Sequence, residues 1–414
     1  MKTITTFLTT VLLTVTTLSA QDIYVAGYEA NAAGTAGVAN LWKNGTAQPL
    51  IGDGPIGAVL FSVFVDGSDV YVAGYESNGT TAIAKLWKNG VSQLLSDGTN
   101  TAIATSVFVS GGDVYVAGTD GNVVKVWKNG AAQDLTDGSS LIARASSVFV
   151  SGSDVYVAGF DRNGGGVEVA TLWKNGVAQA LTSASAMGGA SGNSVFVSGS
   201  DVYVAGHEYN GTAFIATLWK NGVPQALTDG PNEASGNSVF VDGSDVYVAG
   251  HEYNGTKYVA KLWKNGIEQI MTNGANDAQA LSVVVYNDDV YVAGYENNGT
   301  AQVAKLWKNG TPQTIANSVN GAMAYSVFID DNPLSIENIS NPKNNFNVYP
   351  NPAQDVLHID VQVSTNLQLY SLQGQLLQEI TAEQNTQIDI SNLAPGIYLL
   401  KEMNGSTAYK VIKE

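Results

Sequence analysis

From Asp22 to Ile329 the apolar residues fall in short alternating runs, separated by Gly, Asn and Asp. One unit shows the pattern. Ser62-Val63-Phe64-Val65 meets a turn at Asp66-Gly67-Ser68, and Asp69-Val70-Tyr71-Val72-Ala73 runs back; after a polar loop through Asn78-Gly79, Ala82 to Trp87 alternate again, Lys88-Asn89-Gly90 turns the chain, and Val91 to Leu95 complete the unit. Runs of this length, rich in β-branched and aromatic residues and bounded by turn formers, read as strands. Asn-Gly accepts positive φ at little cost and is a strong hairpin signal. Each unit therefore predicts a four-stranded antiparallel meander.

The unit recurs. Trp42, Trp87, Trp127, Trp173, Trp219, Trp263 and Trp307 are all the tryptophan in the chain, they lie 45, 40, 46, 46, 44 and 44 residues apart, and each sits in the same motif. A period of this size belongs to four-stranded propeller blades. A β-solenoid competes, but its coils are shorter. Seven such meanders predict an all-β fold with a seven-bladed β-propeller, in which radial repetition leaves no long exposed edge. The array opens at Asp22-Ile23-Tyr24 without a Ser-Val-Phe-Val strand and ends on a spare Ser326-Val327-Phe328-Ile329. That spare strand, Ala322 to Ile329, is expected to complete the first blade.

The ends differ from the repeats. Residues 1–20 read as a signal peptide, with Lys2, an apolar stretch from Phe7 to Leu18 and a small-residue cleavage site at Ser19-Ala20. The propeller is expected over 21–329, a linker rich in Asn, Ser and Pro over 330–345, and a small β-sandwich over 346–414, with strands near Val356–Val363, Leu367–Leu372, Gln387–Ile390 and Ile397–Lys401. In this last segment Val348-Tyr349-Pro350-Asn351-Pro352, Leu369-Tyr370 with Gly374-Gln375, Leu393-Ala394-Pro395-Gly396-Ile397-Tyr398 and the ending Lys410-Val411-Ile412-Lys413 follow in order. The segment resembles the C-terminal sorting domain (type A) of the type IX secretion system of Bacteroidetes. The resemblance implies the type IX machinery as a partner, export across both membranes, and a secreted or surface-displayed product. The repeats are similar to those of secreted bacterial propellers, which adds no activity.

Composition narrows the partners. There is no cysteine, so neither disulfide nor thiol chemistry is available, and 36 acids against 19 bases give a net charge of -17. Nucleic-acid binding needs a basic footprint and is excluded. No apolar run beyond the signal is long enough for a membrane helix. No cofactor motif occurs, and a monomer is expected.

A Trp at one fixed place in every blade reads as packing between blades, where its large apolar area counts most. The Asn-Gly-Thr sequons at Asn44, Asn78, Asn210, Asn254, Asn298 and Asn309 read first as turns. Loops between the second and third strands, and between blades, vary in length while the Gly-Ser-Asp and Lys-Asn-Gly turns of the other face stay uniform. Binding belongs on the variable side. The second residue after each Val-Ala-Gly is acidic: Glu29, Glu76, Asp120, Asp161, Glu208, Glu252 and Glu296. These carboxylates are expected to form a ring that either binds cationic groups or is simply solvated and weakly paired. His207 and His251 precede the acid in adjacent blades; they lack the local spacing of a metal motif, so an aromatic-type packing role is favoured. No catalytic constellation stands out, and the Ser-x-Asp-x-Gly-x-x-Trp repeat of sialidase-like propellers is absent. The leading expectation is a binding protein for an extracellular glycan or surface protein. A carbohydrate-active lyase or glycosidase on a propeller scaffold, and a structural surface protein without a specific ligand, are the alternatives.

Overall fold

The computed structural model describes residues 21–49, 57–140, 142–162, 166–182, 188–330, 346–361, 363–371, 376–402 and 408–414. The signal peptide and linker expected at 1–20 and 330–345 lie outside them, Asp330 excepted. The chain divides into two compact units, one of them Gln21–Asp331 and the other carrying the C-terminal residues.

Turn chemistry builds each blade of the first unit. Lys88 pairs with Val91, which leaves Asn89 at φ 50° and Gly90 at φ 81°, the left-handed pair that a two-residue type I′ hairpin requires. The strands run beyond the alternating runs that announced them. In blade 2 the inner strand is Ala58–Asp66 and the second Asp69–Ser77, followed by Ala82–Lys88 and an outer Val91–Leu94. All seven blades are four-stranded antiparallel sheets. In blade 1, Ala322–Asp330 pairs with Asp22–Ala30 along its whole length, from Asp22↔Asp330 to Glu29↔Ala322. The ring is closed by its two ends.

Burial explains the repeat motif. The seven Trp side chains are at most 2% exposed. Each lies in a cluster that spans two blades; Trp87 of blade 2, for example, sits with Tyr24, Ala26, Ala39 and Leu41 of blade 1. Inner strands carry a β-bulge at residues 61, 105, 146, 193, 237, 281 and 325, where the pairing with the second strand shifts by one. The bulge drives a carbonyl onto the neighbouring strand. A Cβ at Gly27, Gly74, Gly118, Gly159, Gly206, Gly250 or Gly294 would sit 1.9 to 2.1 Å from that oxygen. Val-Ala-Gly therefore ends in Gly because no larger residue fits.

Two rings of side chains on the inner strands join blade to blade. Ser62 Oγ accepts a hydrogen bond from the Val107 N–H of the next blade, and Ser106, Ser147, Ser194, Ser238, Ser282 and Ser326 repeat this around the circle at 3.1 to 3.3 Å. Below this belt Phe328, Phe64, Phe108, Phe149, Phe196 and Phe240 follow one another with ring centroids 4.7 to 5.0 Å apart. Val284 takes the seventh place. This aromatic collar narrows the channel on the side of the uniform turns.

The C-terminal unit packs two sheets around one core. Phe346–Tyr349, Val356–Val361 and Thr386–Asp389 form one, and Thr365–Ser371, Leu376–Ala382, Gly396–Glu402 and Ala408–Lys413 the other. Leu357, Ile359, Leu367, Ile388, Leu400 and Val411 fill the space between. Asn351 of the Tyr-Pro-Asn-Pro motif donates from Nδ2 to the Lys410 carbonyl and accepts at Oδ1 from the Ile412 N–H, at 2.6 and 2.8 Å. Two motifs distant in sequence are thus one local structure.

Candidate functional site

On the face of the uniform turns the repeated Lys, Asp and Asn are tied to one another. Lys43, Lys88, Lys128, Lys174, Lys220, Lys264 and Lys308 each pair with the Asp that opens the second strand of the same blade, at 2.6 to 2.7 Å. Each ammonium also lies over the following Tyr ring, 5.0 to 5.2 Å from its centre. The turn Asn finishes the set: Asn89 Nδ2 donates to Asp69 Oδ1 and its Oδ1 accepts from the Val70 N–H. The Lys and Asn hold the Asp69 carboxyl below the usual range.

On the other face, the seven expected carboxylates lie in second strands rather than in loops. Glu76 stands in register with Ala58 and Ile83, and side chains alternate along a strand, so it points away from the side that Tyr75 occupies. Most of the ring is held within its own blade. Glu76 pairs with Lys85, Glu252 with Lys261 at 2.8 Å, and Asp120 lies 4.0 Å from Lys125. Glu29 accepts from Asn40, and Asp161 from Ser140. Glu208 and Glu296 have no ion-pair or hydrogen-bond partner among the described residues, and burial raises the Glu208 pKa. Lys257, in the loop after Glu252, pairs with Asp277 at 3.0 Å. Among the described residues no three His, Asp or Glu side chains gather as a metal site requires.

His207 and His251 are brought together in another place. Their register partners are Ser191 and Ser235 of the inner strands, so they stand on the side opposite the carboxylates. His207 Nδ1 lies 3.2 Å from Ser235 Oγ, and Asn193 Nδ2 donates both to that hydroxyl and to the Gly236 carbonyl at 3.0 Å. Asn237 Nδ2 donates to His251 Nδ1 at 3.2 Å and to the Ala280 carbonyl at 2.9 Å. An Nδ1 that accepts belongs to a neutral ring. Burial lowers both histidines to about 4, and for His251 the neighbouring His207 adds to it.

These groups form half of a funnel at the mouth of the channel. Its positions are the bulge residue, the inner-strand residue two before it, and the second-strand residue paired with the latter. Bulges re-aim side chains in this way. Blades 4 to 6 contribute Arg144, Asn193, His207, Asn237 and His251. Blades 7, 1 and 2 contribute an aromatic arc: Tyr325 stacks on Tyr28 with centroids 6.1 Å apart and meets Phe61 edge-on at 5.1 Å, and Phe61 touches Tyr75 at 6.0 Å. Arg144 and Tyr325 stand on inner strands three blades apart, and both side chains reach solvent from strands whose alternate residues are buried against the neighbouring blades, which puts them on the channel. Burial pushes Tyr295 up to about 12, aided by Asp277, Tyr258 and Tyr28.

The histidines and carboxylates were accessible to motif reading, whereas Arg144, Tyr325, Asn193 and Asn237 were not. Their signal was variation inside a strand that is otherwise repeated.

The comparisons with known proteins bear on the two units differently. Residues 347–414 match the secretion system C-terminal sorting domain. The C-terminal unit is a type IX sorting domain, and the protein is a propeller exported to the outer cell surface or beyond. A protein assigned as TolB from Agrobacterium tumefaciens is similar in structure at 11% identity and TM-score 0.41, over 58% of this chain and 94% of that one. A puromycin-hydrolysing peptidase of Mycobacterium tuberculosis is similar at 10% identity and TM-score 0.49, over 72% of this chain and 52% of that one. No curated protein matches in sequence. No helix among the described residues is long and apolar enough to cross a membrane.

Proposed function

We propose that the propeller is a non-catalytic binding module, displayed or released outside the cell, that takes an extracellular glycan through the face bearing the variable loops. One contrast carries this reading. The uniform face binds its lysines, aspartates and asparagines to one another seven times over, while the opposite face differs from blade to blade and leaves Arg144, Glu208, Glu296 and the hydroxyls of Tyr28, Tyr75 and Tyr325 without a partner among the described residues. Rigid scaffolds bind where their side chains vary. Neutral histidines, amides and tyrosine rings suit a polyhydroxylated ligand, and five of the seven carboxylates are held by partners in their own blade.

The test is a glycan-array screen of the full secreted chain, with and without divalent cations, followed by product analysis on every glycan retained. Retention of an intact polysaccharide is expected. Shortened or unsaturated products would replace binding by catalysis, and retention that survives loop exchange on the variable face but is lost on changing Lys88 and Lys264 would move the site to the other face.

A further inference from the structure

The inequality of the two arcs of the funnel points to what it holds. Arg144 is one of two arginines in the chain, and the other, Arg162, is paired with Glu168 at 2.8 Å. Arg144 has no carboxylate or hydrogen-bonding partner among the described residues. Its strand neighbours Ala143 and Ala145 are buried, while its own side chain meets solvent. The protein around it nevertheless desolvates the guanidinium enough to lower its pKa. That combination belongs to a charge inside a water-accessible channel. An unpaired cation held partly out of water costs stability, and nothing among the described residues offsets the cost.

Across the channel, the hydroxyls of Tyr28, Tyr75 and Tyr325 have no hydrogen-bond partner among the described residues, and their rings join Phe61 in one aromatic wall. Farther round the same mouth, on the two blades after that of Arg144, stand Asn193 with His207 and Asn237 with His251. A guanidinium matches a planar carboxylate with two parallel hydrogen bonds. Aromatic faces and neutral amides fit a ring that is apolar on its faces and hydroxylated at its rim.

We propose that the funnel binds one carboxylated sugar residue, with its carboxylate on Arg144, its ring against Tyr325, Tyr28 and Phe61, and its hydroxyls toward Asn193, Asn237 and the histidines. This rests on the glycan-binding reading above and narrows it to one axial site with an acidic ligand. Because the wall differs in every blade, the site is single, and the seven peripheral carboxylates lie on the other side of their strands.

Calorimetric titration of the full chain with glucuronic and galacturonic acid disaccharides, against their neutral counterparts, tests this. The acidic probes should bind at least about tenfold more tightly, the value of one charge-assisted contact, and with a stoichiometry of one. Arg144→Gln should remove that preference, bringing acidic probes to the affinity of neutral ones, with a melting temperature at or above that of the parent. Tyr325→Leu should weaken both kinds of probe. The triple change Glu208→Gln, Glu252→Gln, Glu296→Gln should alter neither. If Arg144→Gln melts early, Arg144→Lys replaces it and should retain part of the preference. Equal affinity for acidic and neutral probes, or loss of binding in the triple variant but not in Arg144→Gln, overturns the axial acidic site and leaves the glycan reading standing. Sulfate or an acetylated peptide with a free C-terminus binding as tightly as the acidic sugar overturns the assignment of a sugar. Retention of no glycan at all removes both readings.

Discussion

His207 and His251 show how a residue is adapted to its place in the ring. Other blades carry Tyr28, Tyr75, Thr119, Phe160 and Tyr295 at the same position, and the imidazoles do aromatic work as well: His207 meets Phe214 and His251 meets Tyr258, each edge-on at 5.0 Å. Burial holds both near 4 rather than 6.5. Between those values the unfolded chain binds protons that the folded chain refuses. The stability they support is therefore complete above pH 6.5 and falls as the pH drops toward 4, by about 1 kcal/mol per pH unit for each ring. The aspartates of the uniform face, lowered by Lys and Asn, lose their contribution only at lower pH. The parent should lose melting temperature steadily between pH 6.5 and 4.5, and the variant His207→Tyr, His251→Tyr should lose much less. Parallel curves for the two proteins would mean that the histidines are not the source.

Among the elements, the inner strand bears the most. It packs against its neighbours on both sides, supplies the serine to the belt and the phenylalanine to the collar, and bulges where the funnel opens. Ala322–Asp330 has a further duty, because it is the only piece of blade 1 that comes from the far end of the array. It brings Phe328 to the collar and joins the belt in both directions, through Ser326 to Val63 and through its own Val327 to Ser282. Removing it unpairs Asp22–Ala30 and opens the circle at two blade interfaces. A chain ending at Asn320 should lose its cooperative thermal transition, whereas one ending at Asn341 should keep that of the parent propeller. Equal transitions would refute closure by this strand. The cost of this arrangement is kinetic, since the ends of a long chain must meet before the last interface forms.

At the scale of the molecule, address and activity are separate. The core of the C-terminal unit is built from its own residues, Val348 to Val411, and the propeller is closed by its own strands. Each can be changed without unmaking the other. Deleting residues 346–414 should leave a folded propeller in the periplasm of the native host, detected by fractionation and by protease resistance. The truncated protein outside the cell in normal amount would show that the tail is not needed for sorting. The net charge of -17 discourages polyanions at long range, so the acidic ligand proposed above would be selected by Arg144 alone among the described residues of the funnel.

The sequence alone determined whatever depends on neighbours in the chain. Lys-Asn-Gly reads as a hairpin because only Asn and Gly take left-handed φ cheaply, seven copies of one unit with a Trp in each specify a ring of blades, and the missing first strand with its spare copy at the end predicts closure. The tail was legible through ordered motifs that the fold then joins at Asn351. What the sequence did not disclose depends on which side of a strand a residue faces and on what stands across the axis. The bulge at Phe61 slips the alternation inside a run that looks regular, and so hides the residues it turns inward. The sequence left the carboxylates either open to cations or weakly paired, and Glu76 and Glu252 meet lysines on the next strand, whose proximity is a matter of register. Seven near-equal blades suggested seven equal sites. The single site proposed at Arg144 and Tyr325 depends on closing the circle, which sets two inner strands distant in the chain around the same axis.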